Sequence, residues 1–319
     1  MKRTIDIKIP ARLHMSVWDM NCFGLGKYGG GGIGLAIKEY TEITISESSE
    51  KANVGEDEKL IKQVISELKK LFNISSCYSV CVKQKQAAHI GMGSTGSLVL
   101  GIIYGFTRLN GIFLTDKELV DIFQKNIKEE HSKEITECFE TLVGTWAALR
   151  GGVVVLDKSS KLLMECKNLP RYNVLLVLPQ EKVLLKNELT DEIKLLEGKA
   201  KKEDFVEREQ KERLIRQLIT YEGKELLEKI NELKYLGSKK EEINYQCEKN
   251  QLYKHLIYLG EHNNIVCAGM SSIGPLYYYI DVKEKLENVE DALKRLGKFN
   301  TILTGIHNET ISEGEYYYK

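Results

Sequence analysis

The 319-residue sequence lacks several features that mark whole classes of protein. Lys plus Arg and Asp plus Glu both number 46, so no net charge draws the chain onto nucleic acid or an anionic membrane. The longest apolar run, residues 98–106, is too short to span a bilayer. We therefore expect small-molecule partners, with no nucleic acid and no membrane, while a homodimer stays open.

The seven cysteines form an odd, scattered set without a Cys-x-x-Cys pair. This pattern favours neither a disulfide framework nor a zinc site, and buried free thiols in a reducing compartment explain it. The first ten residues are strand-like and charged, which is unlike a secretory signal. Hydrophobic residues make up 42% of the chain, which is typical of a globular protein with a proper core. These features predict a cytoplasmic protein.

The most informative stretch is a glycine-rich loop between a predicted strand at 77–83 and a helix-forming run at 98–109. The first turn of a helix has unpaired N–H groups and a partial positive charge, and glycines allow a phosphate to approach the backbone closely. Hydroxyl groups in the loop could help to ligate a magnesium ion that the phosphates carry. The predicted phosphate-binding or donor-binding residues are Gly91, Met92, Gly93, Ser94, Thr95, Gly96 and Ser97.

The alternative for this loop is a tight turn capped by Ser94 or Thr95, which is the commoner meaning of one glycine-rich loop. The loop matches neither the dinucleotide-binding fingerprint nor the phosphate loop that ends in Gly-Lys-Ser/Thr. The nucleotide-binding folds that carry those motifs are therefore disfavoured.

A first strand is predicted at residues 4–9, stopping at Pro10, and an extended segment follows it. In that segment Arg12, His14 and Ser16 project to one face, because side chains alternate along extended backbone. A guanidinium, an imidazole and a hydroxyl on one face suit an oxyanion or a ribose hydroxyl. The alternative is a half-exposed strand with one solvated face.

Seven glycines occupy the eleven positions from 24 to 34. Ordering so many glycines costs much conformational entropy, which argues for close backbone–ligand or backbone–backbone approach. A flexible linker is disfavoured because strand-like segments flank the run tightly. We interpret it as a loop of the site.

The rest of the chain alternates between amphipathic helices and short strands. Helices are predicted at 57–72, at 115–127 with Thr115 as its cap, and at 239–259, within a charged, helix-rich C-terminal half. Glu134, Glu137 and Glu140 could supply a base or a metal ligand, or could simply be partners of a helix dipole. A second glycine-serine loop follows a strand at 268–274.

Together the two loops resemble the second and third motifs of the GHMP kinase superfamily, whose second motif is roughly Pro-x-x-x-Gly-Leu-Gly-Ser-Ser. The closest likeness within it is to the β-ribofuranosylaminobenzene 5′-phosphate synthases. Motifs of those enzymes look like five segments of this chain, in the same order: Ala11-Arg-Leu-His14 followed by Asp19, Gly31-Gly-Ile-Gly-Leu-Ala36, His89-Ile-Gly-Met-Gly-Ser94, Gly144-Thr-Trp-Ala-Ala-Leu-Arg-Gly-Gly152 and Gly269-Met-Ser-Ser-Ile-Gly-Pro275.

The resemblance implies an α+β, GHMP kinase-like fold of two domains. Residues 1–165 would form an N-terminal domain like the second domain of ribosomal protein S5, carrying the phosphate loop. Residues 166–319 would form a ferredoxin-like C-terminal domain.

The resemblance also implies an activity. The synthases transfer phosphoribosyl from phosphoribosyl pyrophosphate to p-aminobenzoate, release pyrophosphate and carbon dioxide, and serve tetrahydromethanopterin-type biosynthesis. A pentosyltransferase acting on p-aminobenzoate or a related aromatic acid, with Mg2+ as cofactor, is thus the first hypothesis. The alternative is an ATP-dependent small-molecule kinase of the same superfamily, and a binding module without enzymatic activity is a third.

The resemblance extends to residues of the site. Arg12 and His14 would bind the 5′-phosphate or the acceptor carboxylate. His89 would donate to a phosphate or serve as a structural imidazole. The predicted catalytic residues are Arg12, His14, Asp19 and His89; the predicted magnesium ligands are Ser97 and Glu137; and the predicted substrate-binding residues are Ser16, Gly30, Gly31, Gly32, Gly144, Thr145, Gly269, Met270, Ser271, Ser272 and Gly274.

Overall fold

The computed structural model describes residues 3–19, 27–48, 53–54, 57–87, 90–131, 134–136, 138–180 and 205–311. The chain starts with β1 (Thr4–Ser16), which pairs antiparallel with β2 (Gly32–Ser48). The prediction that the first strand stops at Pro10 is wrong, because β1 continues to Ser16. The pairing is irregular between Pro10 and Ala11, where the proline has no N–H to give to the ladder.

The long strand β2 is the strand on which the first sheet is built. Its first residues pair with β7 (Val153–Leu156), and its last residues pair with β4 (Cys77–Gln84). The strand order is β3-β4-β2-β7-β8, with β1 also paired to β2. The remaining strands of this half are β3 (Asn53–Val54), β8 (Leu162–Cys166) and the separate short hairpin β5 (Glu129–His131) and β6 (Glu134–Thr136).

Helix α2 (Ser94–Leu109) is almost entirely buried and packs across β1 and β2. It approaches the sheet closely at Gly105, where a Cβ atom would lie only 2.8 Å from the Ile45 side chain. Helix α1 (Glu58–Leu71) and helix α3 (Asp116–Asn126) pack beside it, and α4 (Val143–Arg150) precedes β7. The predicted cap of α3 is confirmed, because Thr115 forms a capping box with Glu118.

The C-terminal half is a four-stranded antiparallel sheet in the order β10-β11-β9-β12. The predicted single helix over 239–259 is wrong, because Asn250 has extended backbone and separates two helices. The strands are β9 (Asn173–Pro179), β10 (Cys267–Met270), β11 (Tyr277–Asp281) and β12 (Phe299–Gly305); the helices are α5 (Phe205–Leu218), α6 (Gly223–Glu232), α7 (Gly237–Lys249), α8 (Leu252–His262) and α9 (Lys283–Leu296).

A shared hydrophobic core joins the two sheets. It contains Leu13 and Leu35 from the first sheet with Leu176 and Ile280 from the second. Met92, from the glycine-rich loop, is buried in this same core. The predicted division into two domains between residues 165 and 166 stays a prediction. At this point of the chain, β8 still pairs with β7 through Cys166. None of the helices in the described ranges has the length and apolar character that a bilayer crossing requires.

Candidate functional site

The glycine-rich loop leads into the N-terminus of α2 through two left-handed glycines. Gly91 has a φ of 92° and Gly93, the N-cap residue, a φ of 72°. The first turn of α2 has no acidic residue, and among the described residues no side chain caps it. Because the N-cap residue is Gly93, the predicted alternative of a turn capped by Ser94 or Thr95 is wrong. The first amide that bonds back into the helix is that of Ser97, which donates to the Gly93 carbonyl oxygen at 3.0 Å. The amides before it are those that a helix N-terminus leaves for an anion.

The residues of this turn differ in exposure. Gly91, Gly93, Thr95 and Gly96 are half-buried, whereas the other three residues of the loop are buried. The Ser94 hydroxyl lies 3.5 Å from the Ala87 carbonyl oxygen, and the Ser97 hydroxyl lies 3.4 Å from that of Pro10. Ser97 as a magnesium ligand stays a prediction, since a hydroxyl that donates a hydrogen bond still has lone pairs.

Arg12 of β1 lies against this loop. Its backbone amide donates to the Met92 carbonyl oxygen at 3.2 Å, and its guanidinium Nη1 donates to the Gly91 carbonyl oxygen at 2.9 Å. A Cβ atom at Gly93 would lie 2.9 Å from Arg12 Nε, so only glycine leaves room for the guanidinium there. Burial lowers the Arg12 pKa, and the charge of Glu140 partly offsets that effect. The carbonyl contact orients the guanidinium without neutralising its charge.

Gly144, in the first turn of α4, lies close to the same arginine side chain. A Cβ atom at Gly144 would lie 3.1 Å from Arg12 Nε. The helix begins after Leu142, whose φ of 65° is left-handed and whose amide donates to Glu140 Oε1 at 2.9 Å. The next residue, Thr145, has a buried hydroxyl that finds no hydrogen-bond partner among the residues that the structure describes. The N-termini of α2 and α4 thus approach the same arginine.

His14 is buried two residues further along β1. Its Nε2 lies 3.5 Å from the Thr141 hydroxyl, and its backbone amide donates to Ser271 Oγ at 3.0 Å. Burial, followed by the charges of Arg12 and Lys239, holds the His14 pKa well below its usual value, so the imidazole is neutral at pH 7. Because His14 and Ser16 are both buried, the alternative of a solvated strand face is wrong.

The second glycine-serine loop meets the first one through Ser271. Its hydroxyl donates to the Gly91 carbonyl oxygen at 2.5 Å, and its own carbonyl oxygen would lie 2.7 Å from a Cβ atom at Gly91. Ser272 donates its backbone amide to the His14 carbonyl oxygen at 2.9 Å. The structure therefore brings Arg12, His14 and both loops together, as the sequence predicted for one site.

Other predicted residues of the site have close backbone neighbours, and their ligand-binding or catalytic roles stay predictions. Ser16 is buried, and its carbonyl oxygen would lie 2.1 Å from a Cβ atom at Gly32. The amide of Asp19 donates to the Gly30 carbonyl oxygen at 3.1 Å, and a Cβ atom at Gly31 would lie 1.9 Å from a backbone oxygen of Asp157. The glycine run was expected to approach either a ligand or other backbone closely, and the contacts described here are of the backbone–backbone kind.

The remaining predicted residues of the second loop support its hairpin. Gly269 pairs with Tyr278, and the side chain of Met270 is fully buried in the core of the second sheet. A Cβ atom at Gly274 would lie 2.9 Å from the Met270 sulfur. A ligand-binding role for these three stays a prediction. His89 and Glu137 lie outside the described residues, and within the described ranges no group of three or more His, Cys, Asp or Glu side chains could hold a metal ion.

Sequence reasoning missed Lys239, Glu242 and Gln246 of α7. Lys239 Nζ donates to the Ser272 carbonyl oxygen at 2.7 Å and pairs with Glu242 at 2.6 Å, while Gln246 Nε2 donates to the Ile273 carbonyl oxygen at 2.7 Å. Their i, i+3, i+7 spacing on one helix face was the only signal, and in the sequence it looks like part of a solvated face.

Comparisons with known proteins bear on the fold. No family model and no curated protein sequence matches the chain. Homoserine kinase from Cytophaga hutchinsonii superimposes with a TM-score of 0.72 at 12% identity, covering 99% of this chain and 97% of that one. A mevalonate kinase gives 0.68 at 15% identity (95% and 99% covered), and mevalonate diphosphate decarboxylase from Enterococcus faecalis gives 0.66 at 12% identity (100% of each).

These likenesses run over nearly the full length of each chain, and both sheets of the present structure take part in them. Identities of 11–15% establish shared architecture only. The predicted fold class is confirmed: this chain has the α+β, two-domain GHMP kinase-like fold.

Proposed function

We propose that this chain is an ATP-dependent enzyme that binds the donor's phosphates at the N-terminus of α2 and transfers a phosphoryl group to a small-molecule acceptor. The observation that carries the proposal is the first turn of α2, which has no acidic residue and lies beside the guanidinium of Arg12, and which no side chain caps among the described residues. Backbone amides and a guanidinium that are already in place stabilise negative charge as it develops on the leaving phosphates.

The solved structures of this fold support an ATP-type donor. They include homoserine kinase and mevalonate kinase, and one, MDDEF, holds MVAPP, AMPPCP and magnesium. In this chain Mg2+ would arrive with the donor phosphates, and the hydroxyl of Ser97 and the carboxylate of Glu137 are the proposed protein ligands. Mg2+ would neutralise phosphate charge there.

Arg12 and His14 have different proposed roles. The guanidinium would bind a phosphate or acidic group of the substrate, since it keeps its charge while oriented by Gly91. His14 is neutral, so it would act as a hydrogen-bonding group at the acceptor rather than as a cation. A kinase also needs a carboxylate near the acceptor hydroxyl, and Asp19 is the proposed one.

Phosphoribosyl transfer is the second candidate, with phosphoribosyl pyrophosphate as donor and p-aminobenzoate or a related aromatic acid as acceptor. The order of the five sequence motifs favours it. In this case the α2 N-terminus would bind the departing pyrophosphate.

One experiment separates the candidates. The protein is titrated calorimetrically with Mg–ATP and with Mg–phosphoribosyl pyrophosphate, and then incubated with each donor and a panel of acceptors that includes p-aminobenzoate labelled in its carboxyl group. ADP formation supports the kinase, whereas pyrophosphate together with labelled carbon dioxide supports the ribosyl transfer. Binding of neither donor would overturn both, and binding without any turnover would indicate a binding module.

A further inference from the structure

Helix α7 has a buried polar stripe that the proposed reaction does not use directly. Lys239, Glu242 and Gln246 follow one another at i, i+3 and i+7, so they lie on one face of the helix. Each is only 2% exposed. Charged residues are almost never buried to this extent unless they are paired, so the stripe calls for a specific reason.

The contacts of the stripe converge on the loop between β10 and β11. Lys239 Nζ donates to the Ser272 carbonyl oxygen at 2.7 Å, and Gln246 Nε2 donates to that of Ile273 at 2.7 Å. Glu242 Oε2 accepts from Lys239 Nζ at 2.6 Å, which fixes the ammonium group at that loop. The stripe therefore holds two consecutive backbone carbonyls.

Stability alone is a poor explanation for this arrangement. Removing two charges from water costs free energy that their mutual attraction often fails to offset, so apolar residues of the same size can be equally stable. The hydroxyl of Ser238 and Oε1 of Gln246, on the same helix, are also buried and have no hydrogen-bond partner within the described ranges, which adds a further cost. What apolar residues cannot supply is a donor directed at the Ser272 carbonyl oxygen.

The loop that the stripe holds is bonded to both halves of the donor site. The amide of Ser272 donates to the His14 carbonyl oxygen at 2.9 Å, and the hydroxyl of Ser271 donates to that of Gly91 at 2.5 Å. Gly91 in turn accepts from the guanidinium of Arg12. Hydrogen bonds that are linked through the backbone of Ser271 and Ser272 thus connect α7 to the loop before α2.

We propose that Lys239 and Glu242 are positioning residues that fix the donor loop at Gly91 through Ser272 and Ser271. Neither residue touches the donor. Their effect on donor affinity rests on the proposed function, whereas their effect on the loop itself does not.

The test uses the double variant Lys239→Met/Glu242→Leu in the full chain. It keeps side-chain volume and leaves no single buried charge behind, so the variant should fold. The matched control is Lys229→Met/Glu232→Leu on α6, an i, i+3 pair at 2.7 Å that is partly exposed. Hydrogen exchange of peptides covering residues 10–17, 90–97 and 268–276 reports on the loop, and calorimetry with Mg–ATP and Mg–phosphoribosyl pyrophosphate reports on donor binding.

In the α7 variant we expect exchange in the three peptides to accelerate about tenfold and donor affinity to fall about tenfold. A tenfold change is the size of effect expected when one strong hydrogen bond is lost. The control should change neither. Accelerated exchange in a protein that binds neither donor would support the positioning role and overturn the proposed function. Unchanged exchange in those peptides overturns the positioning role whatever the donor does.

A double-mutant cycle with Ser271→Ala separates positioning from general destabilisation. If Lys239 acts through Ser271, the two changes affect donor affinity less than additively, because each breaks the same series of bonds. Fully additive losses of affinity would overturn the proposed route.

Discussion

The hydroxyl of Ser271 donates a 2.5 Å hydrogen bond to the carbonyl oxygen of Gly91, across 180 positions of sequence. Ser271 follows β10 of the second sheet, and Gly91 lies in the loop before α2. The same hydroxyl accepts from the backbone amide of His14 on β1. One side chain therefore joins the three segments that carry the candidate site, and we expect the orientation of the glycine-rich loop to depend on it.

We expect Ser271→Ala to weaken donor binding about tenfold, because a net hydrogen bond of about 1 kcal/mol is lost and the Gly91 carbonyl oxygen keeps the Arg12 guanidinium but loses the serine hydroxyl. Titration calorimetry with the donor identified for the wild type measures this. The control is Thr44→Val, which removes another 2.5 Å hydroxyl bond, to Asp6, on a distant part of β2. Equal affinity losses in both variants would contradict a specific role for Ser271.

Gly93→Ala should abolish donor binding by displacing the guanidinium of Arg12, since the new Cβ atom would lie 2.9 Å from its Nε. Gly111→Ala is the matched control, with a φ of 69° and nothing within 4 Å of a Cβ atom. Both variants should lose about 1 kcal/mol of unfolding free energy from the left-handed backbone. Denaturation measures the loss of stability in the two variants, and calorimetry measures their donor binding. Full donor binding by Gly93→Ala would count against the loop as the donor site.

Much of this arrangement was predictable from local sequence. A strand, a glycine-rich loop and a helix follow from alternation, from the spacing of Gly91 and Gly93, and from the apolar run at 98–109, although the helix itself begins earlier, at Ser94. The cap at Thr115 followed from its place just before an amphipathic run, and in the structure Glu118 completes the capping box. Such features depend on neighbours within a few positions, so they appear in the sequence itself.

Features that depend on distant partners were not predictable. The sequence cannot tell whether the polar face of a strand is solvated or buried, and for His14 the answer depends on Thr141 and Ser271. Lys239 looked like one of many surface lysines until its carbonyl partner, Ser272, was known. The break at Asn250 was missed because intrinsic helix propensity is only a weak guide, which tertiary contacts routinely override.

Arg12→Met should weaken donor or substrate binding by about 10- to 100-fold, because hydrogen bonds to charged groups contribute about 1.5–3 kcal/mol. The aliphatic part of the side chain is kept, so the unfolding transition should change little. The control is Arg108→Met, whose guanidinium lies over the rings of Tyr104 and Phe113, in the last turn of α2. Calorimetry at two salt concentrations is the measurement, and unchanged binding by Arg12→Met would remove Arg12 from the site.

Magnesium should bind together with the donor rather than to the free protein. Within the described ranges no cluster of three acidic, histidine or cysteine side chains could hold the ion alone, and Mg2+ usually keeps water and phosphate ligands. We expect no heat on titrating the free protein with MgCl2, and a loss of donor affinity when EDTA is added. Tight binding of Mg2+ to the free protein would instead indicate a resident metal site, to be examined with Glu137→Gln.

The neutral, buried state of His14 predicts an acid-sensitive fold. Its pKa is lowered in the folded protein by burial and by Arg12, so below about pH 6.5 the unfolded chain binds a proton that the folded chain does not. The free energy of unfolding should therefore fall by about 1.4 kcal/mol per pH unit below that value, and His14→Gln should remove this part of the slope. Urea denaturation of both proteins at pH 5.5, 6.5, 7.5 and 8.5 measures it, with His307 unchanged in each. Parallel curves across all four pH values would mean that the folded protein protonates His14 as readily as the unfolded chain does.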